Sequence, residues 1–356
     1  PPVPVVYRCQ EPDEKTYNNM NVKITASPHV RSAESTVRIM WSVVMSLAPV
    51  VAASIYFFGP SAILVILASV AGCLLTERLF GSQPGSIADG SAMITGLLLG
   101  LTLPPGFPLW MAFLGGIFGM GFGKIIYGGL GQNIFNPALV GRAFLQAAFP
   151  VAITTWPTRT QQWWTLQGDN LALPFMSPVV DTATSATPLG NLKFGDDPVV
   201  TPVMDLLLGT TSGSLGETSA LLILLGGLYL AWRGHLNWHI PLSIFVSTFV
   251  VSGLFFVLGI SQFPPLFMLF SGGLMLGAFY MATDMVTSPL TNKGCWLFGF
   301  GIGFLVVIIR VWGGLPEGVM YAILLMNALV PFINRATQPR LFGTSAKSKK
   351  KKEAES

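Results

Sequence analysis

Ten apolar runs follow one another along the chain, at residues 39–58, 61–76, 88–103, 108–127, 134–150, 216–232, 239–259, 263–281, 294–311 and 316–334. A helix that crosses a bilayer needs roughly 20 apolar residues, so most of the sequence is taken up by such runs and short connections. The pattern predicts an all-α integral membrane protein of about ten transmembrane helices. Several runs are short and contain Gly or Pro, which membrane helices tolerate where neighbours or a cavity satisfy the freed backbone groups. The Gly-rich stretch from Gly115 to Gly131 predicts close helix packing through small residues. Residues 1–38 are polar, and the first run is followed by others, so it reads as a true span and not as a cleaved leader.

Composition agrees with this reading. Of the 356 residues 51% are hydrophobic and 10% charged, where a soluble domain carries about a quarter charged residues to face water. Orientation follows from the excess of Lys and Arg on cytoplasmic segments. With the amino terminus inside, sixteen of the 20 Lys and Arg fall on inside segments. Arg159, Lys193 and Arg310 then lie outside, and Arg142 lies within the fifth run. Both termini are therefore expected in the cytoplasm. The tail KSKKKKEAES suits anionic lipid headgroups and lacks the structured or aromatic context that nucleic-acid binding would need.

These assignments divide the chain into a cytoplasmic arm (1–38), a first membrane unit (39–150), an extracytoplasmic loop (151–215), a second membrane unit (216–334) and a basic cytoplasmic tail (335–356). GGLGQNIFNPALV, residues 128–140, and GGLPEGVMYAILLMNALVPF, residues 313–332, both run from Gly-Gly-Leu to an Asn ahead of Ala-Leu-Val. Read as a repeat, they make spans one to five and six to ten two five-helix halves. An odd number of spans per half inverts one half relative to the other.

Candidate chemistry is sparse. Cys9, Cys73 and Cys295 show no paired spacing, and His29, His235 and His239 are dispersed with no carboxylate near. They read as packing, surface and loop residues. Polar groups in or beside apolar runs are costly and often functional. They include Asn133, Asn136 and Arg142 around the fifth run, with Asp284 and Lys293 flanking the turn after the eighth. The 151–215 loop is much longer than the other connections, contains Trp156, Trp163 and Trp164, and carries VVDTATSATPLGNLK at 179–193. By composition alone that stretch is a Ser/Thr linker ending at a turn.

The run Asp181-x-x-Thr184-Ser185-Ala186-Thr187 resembles the motif on which a flavin transferase attaches FMN, through a phosphoester, to the final Thr. Thr182 stands where that motif usually has Gly. Three longer stretches, GQNIFNPALVGRAFL (131–145), ATDMVTSPLTNKG (282–294) and EGVMYAILLMNALVPFINRATQPRLFG (317–343), are similar to the RnfD/NqrB family. Its members are homologous membrane components of the Rnf electron-transport complex and of the sodium-translocating NADH:quinone reductase. Ser27-Pro28-His29 is similar as well, so the resemblance spans about residues 24 to 343. The length of the chain fits the Rnf branch better.

The resemblance implies a bacterial inner-membrane component of an ion-motive complex that relays electrons between ferredoxin and NAD. It implies covalent FMN on Thr187, with Asp181, Thr184, Ser185 and Ala186 as the attachment frame. It also implies a second, loosely held riboflavin or FMN between the helices. Partner subunits would carry iron–sulfur clusters and flavins, and a flavin transferase would load the FMN. Arg142 is a candidate contact to a flavin phosphate or ring carbonyl, or else snorkels toward the headgroups, and Asn133 and Asn136 are candidate cofactor-binding residues beside it. A solute channel or transporter without redox chemistry fits the inverted-repeat pattern equally. The Asp181–Thr187 run separates the two, because a channel has no use for it.

Overall fold

A computed structural model of the chain describes residues 34–81, 86–157, 164, 166–174, 186–195, 200–217 and 219–339. Asp181, Thr184 and Ser185 lie outside the described residues, as does the basic tail from 340. The chain divides into Pro1–Ser35, of which residues 34 and 35 are described, and a body that starts at Thr36.

The body is helical throughout, with no strand among the described residues. Its first part runs α1 (Thr36–Phe58), α2 (Pro60–Phe80), α3 (Ser91–Leu101), α4 (Leu109–Gly123), α5 (Pro137–Ala148) and α6 (Pro150–Thr154). Two short helices follow in the long loop, α7 (Pro188–Phe194) and α8 (Val203–Leu208). The second part runs α9 (Ala220–Trp232), α10 (His239–Val257), α11 (Pro265–Phe270), α12 (Leu274–Leu276), α13 (Asn292–Trp312) and α14 (Val319–Thr337). A π-helical turn, Gly277–Met281, extends α12.

Every apolar run carries helix, but the runs are not equal. Among the described residues, six helices are long and apolar enough to cross a membrane: α1, α2, α4 with its following turn, α10, α13 and α14. The third, fifth and sixth runs yield helices of 11, 12 and 13 residues. The eighth is broken at Ser271–Gly273, where Gly272 takes φ 66°, a left-handed conformation that favours glycine. Hydropathy sees a continuous run there because glycine and serine interrupt the backbone without adding charge.

The two most extensively packed helix pairs both use missing side chains. Where α2 crosses α4, a Cβ added at Gly116 would stand 2.5 Å from the Ser69 carbonyl oxygen. Where α10 crosses α13, a Cβ at Gly299 would stand 2.8 Å from the Ile240 carbonyl oxygen. Either substitution would push the backbones apart. Hydroxyls bridge neighbouring helices as well: Ser69 Oγ donates to Gly96 O at 2.9 Å and Ser243 Oγ to Trp296 O at 2.6 Å. Other buried hydroxyls, such as Ser54 and Thr76, donate to carbonyls one turn back in their own helix, so no water is needed to satisfy them.

The likeness between residues 128–140 and 313–332 does not hold residue by residue. Asn136 caps the start of α5, with Oδ1 accepting from Ala138 N at 3.0 Å, whereas Asn327 lies buried in the middle of α14. The free thiols Cys73 and Cys295 are buried and donate to carbonyls of Gly116 and Pro289.

Candidate functional site

Thr187 occupies the turn that starts α7, and the local sequence explains its pose. Pro188, with its preset φ, sits at the first helical position, and Thr187 is the N-cap, its Oγ1 accepting from the Gly190 amide at 3.1 Å. Seven residues make a helix that would not persist alone, so α7 depends on its neighbours. Leu189 and Leu192 bury their side chains in a cluster with Phe267 and Met268 of α11 and Leu206 of α8. At the far end, Lys193 Nζ donates to Arg310 O at 2.7 Å, Gly313 O at 2.5 Å and Leu315 O at 3.2 Å. The lysine therefore caps the carbonyl end of α13 with positive charge and clamps α7 against it. Partial burial pulls its ammonium below the usual lysine range.

This anchoring places Thr187 on the wall of a cavity of about 570 Å³. Arg142 and Gln146 of α5 form one side, Trp156 and Phe194 contribute rings, and Glu317 and Tyr321 close it from the α13–α14 connection and α14. Ala186 lines the same cavity. The volume falls in the range of about 300–1,000 Å³ typical of small-molecule sites, and the lining mixes aromatic rings with the polar side chains of Arg142, Gln146, Thr154, Thr155 and Glu317. Arg142 Nη2 bonds Glu317 Oε2 at 2.7 Å, and the Gly273 amide donates to Glu317 Oε1. A single carboxylate thus holds the arginine at the cavity and ties it to the backbone break.

Arg310, counted with the outside segments at the end of the ninth run, lies inside α13 and is fully buried. Nη1 donates to Met268 O at 2.5 Å and Nη2 to Ser271 O at 2.9 Å. These are carbonyls freed where α11 ends. The guanidinium fork replaces the missing helical donors, which is why irregular backbone is tolerated in an apolar setting.

Asn133 and Asn136 are not at the Thr187 cavity. They line a separate chamber of about 100 Å³ with Tyr280, Asp284, Lys124 and His235. Asn136 is committed on both sides, donating to Met281 O at 3.1 Å while capping α5. Asp284 accepts from Val286 N and Thr287 Oγ1, each at 3.3 Å, and so shapes a turn rather than capping a helix. Lys124, counted with the inside segments, is buried: Nζ bonds Glu77 Oε1 at 2.5 Å and Ser91 Oγ at 2.6 Å.

The residues that organise the Thr187 cavity but were not named as candidates from the sequence are Glu317 and Lys193, with Arg310 behind them. One signal was available, since a charge inside an apolar run must find a partner. Which partner it finds depends on tertiary contacts.

Comparison with known proteins gives a consistent answer. A component of the proton-translocating ferredoxin:NAD(+) oxidoreductase complex from Clostridium ljungdahlii is 43% identical over 338 residues, covering 90% of this chain and 96% of the relative. A component of the Na(+)-translocating ferredoxin:NAD(+) oxidoreductase complex from Acetobacterium woodii is 39% identical, covering 95% and 99%. A component of an ion-translocating oxidoreductase complex from Stutzerimonas stutzeri is 41% identical, covering 88% and 93%. All three bear the letter D among the components of their complexes. The profile of the NQR2, RnfD, RnfE family matches residues 23–343, from before the first helix to beyond the last. That match takes in both membrane parts and the loop that presents Thr187, and the chain belongs to the NQR2, RnfD, RnfE family.

Proposed function

We propose that this chain is the RnfD component of an Rnf-type complex, a redox-driven ion translocase, and that it relays electrons between ferredoxin and NAD through FMN held covalently on Thr187. The first part rests on relatives of nearly full-length coverage whose names state the ferredoxin:NAD(+) oxidoreductase complex. Those names differ in the ion, proton in one and sodium in the other, so the coupling is to one of these two.

The observation that carries the FMN assignment is the placement of Thr187. It is partly exposed, so a transferase can reach it, yet it borders a ring-lined cavity large enough for a cofactor. A buried linker or a loop pointing only to solvent would offer one of these properties at most. The lone pair of Oγ1 that accepts from Gly190 is not the hydroxyl proton that an ester would replace, so capping and esterification are compatible. Bound there, FMN supplies the electron-carrying chemistry, and the protein supplies position and electrostatics. Arg142 would set positive charge against the phosphate or a ring carbonyl, while Trp156, Phe194 and Tyr321 would face the ring system. Asp181, Thr184, Ser185 and Ala186 would form the frame the transferase recognises. Fluorescence that persists on the polypeptide after denaturing electrophoresis tests this, since only a covalent flavin survives. A dark band from protein made beside a working transferase would sink the assignment.

The Lys193 clamp makes a separate prediction. Lys193→Met should leave the membrane part assembled but release α7, lowering the fluorescence per mole of protein several-fold. Equal flavin loading in the variant and the parent would show that the clamp does not position Thr187.

A second, non-covalent riboflavin or FMN has a candidate seat in the Asn133 chamber, which Asn133, Tyr280 and Asp284 line with polar groups. At about 100 Å³ the chamber would have to widen to admit a tricyclic ring.

The finer architecture we propose is ten spans in two inverted halves within the bacterial inner membrane, both termini cytoplasmic and the Thr187 loop outside. Its support is the repeated packing order, α2 on α4 on α5 and α10 on α13 on α14, together with the short or interrupted helices present in each half. Reporter fusions after Gly81, after Arg233 and at the carboxyl terminus are expected to report cytoplasm, and fusions within 151–215 the outside. An external carboxyl terminus would overturn the span count. Other members of the complex supply the remaining redox groups in this reading.

A further inference from the structure

Glu217 has no part in the reading above. It ends the short turn Leu215–Glu217 ahead of α9, far in sequence from Glu317, yet the two carboxyl groups meet within hydrogen-bonding reach of each other. The glycine pair at the α11–α12 break makes room for this. A Cβ built on Gly273 would stand 2.6 Å from Glu317 Oε1 and 3.7 Å from Glu217 Oε1. Any larger residue would separate the acids.

The surroundings treat the two acids differently. Glu317 receives Arg142 at 2.7 Å and the Gly273 amide. Glu217 Oε2 accepts a long bond of 3.4 Å from Ser214 N, and among the described residues it forms no ion pair with Lys or Arg. Arg310 faces the pair from α13: a Cβ on Gly272 would lie 3.1 Å from Arg310 Nη2 and 3.2 Å from Glu317 Oε1. Both of its terminal nitrogens are engaged by carbonyls, while its Nε and the hydroxyl of Ser271, both buried, find no hydrogen-bond partner among the described residues. Polar capacity is therefore left over beside the acids.

Two carboxyl groups within hydrogen-bonding reach repel each other when both are ionised, which favours one of them keeping a proton and sharing it. Arg142 stabilises the charge on Glu317, which leaves the proton to Glu217. Glu317 lines the Thr187 cavity and Glu217 does not. We infer that Glu217 and Glu317 form a proton-binding site, in which Glu217 stores one proton and Glu317 connects it to the Thr187 cavity. The two arginines, Arg142 from α5 and Arg310 from α13, balance the pair when that proton leaves. The site stands whether or not a flavin is attached to Thr187, so the two readings fail separately.

Infrared difference spectroscopy of the purified full-length chain tests this. The spectrum of the parent minus that of Glu217→Gln, at neutral pH, should contain a carbonyl stretch of a protonated carboxylic acid that moves to lower frequency in D2O. The same band should survive in a Thr187→Val background, which removes any dependence on flavin. A second comparison guards against a misfolded variant. Glu317→Gln removes the like charge but keeps the two arginines, so Glu217 should ionise and the parent's acid band should vanish. If both differences contain only carboxylate stretches, as they would if a sodium ion sat between two ionised acids, the proton site is wrong.

Discussion

Thr187→Val should abolish the fluorescent band of the denatured protein and most electron transfer through the assembled complex. Valine keeps the branched shape and removes the one atom able to form the ester. The structure adds a consequence that the loop sequence conceals. Thr187 caps α7, so the variant also loses the bond to the Gly190 amide, a change worth about 1 kcal/mol at a helix N-terminus. That loss is local. The membrane helices should assemble normally, and size-exclusion of the complex measures this. Mass spectrometry of the loop peptide places the added FMN mass directly. If the mass lies on Thr182 or Thr184 with Thr187 bare, the anchor moves but the flavoprotein reading stands. Thr184→Val should reduce the flavin without eliminating it if Thr184 serves only recognition.

The largest effect on stability is expected at Arg310. In Arg310→Met the carbonyls of Met268 and Ser271 lose their donors inside the apolar body, and each stripped group costs about 1–3 kcal/mol. The break between α11 and α12 should then refold or collapse, disturbing the Leu189–Phe267 contacts that hold α7. The measurable outcome is a lower thermal midpoint of the detergent-solubilised protein and, with the transferase present, poorer flavin loading. Arg310→Lys should recover little of this, because a compact ammonium on one stem cannot match the spread fork that serves both carbonyls. A midpoint unchanged in Arg310→Met would mean that other groups, such as backbone amides or penetrating water, satisfy the break.

These two residues mark opposite ends of what a sequence can reveal. Thr187 stands in a short run with a recognisable order, and an extended resemblance surrounds that run. Its place beside a cavity was not legible, because the cavity is built from α5, α7 and the α13–α14 connection, segments far apart in the chain. The grouping of Arg142 with Asn133 and Asn136 followed sequence proximity. The chain turns at Asn136 to begin α5, so Arg142, almost two turns further along that helix, opens into a different space from the two asparagines. Arg310 and Lys124, each near the end of an apolar run, were counted with the outside and inside segments by charge alone. Tertiary contacts instead gave each of them buried partners.

The membrane class, the helical character of all ten apolar runs and the family could be read from the chain alone. Apolar composition leaves helices as the simplest way to satisfy a backbone out of water, and that constraint acts locally, residue by residue. Which runs are continuous is a property of the packed molecule. Ser271–Gly273 breaks a helix only because Arg310, from another helix, takes the carbonyls it frees. The pairing of Arg142 with Glu317, and of Glu317 with Glu217, was settled by packing too. A charge in an apolar body must be neutralised, but its partner is whichever group the packing of small residues allows to approach.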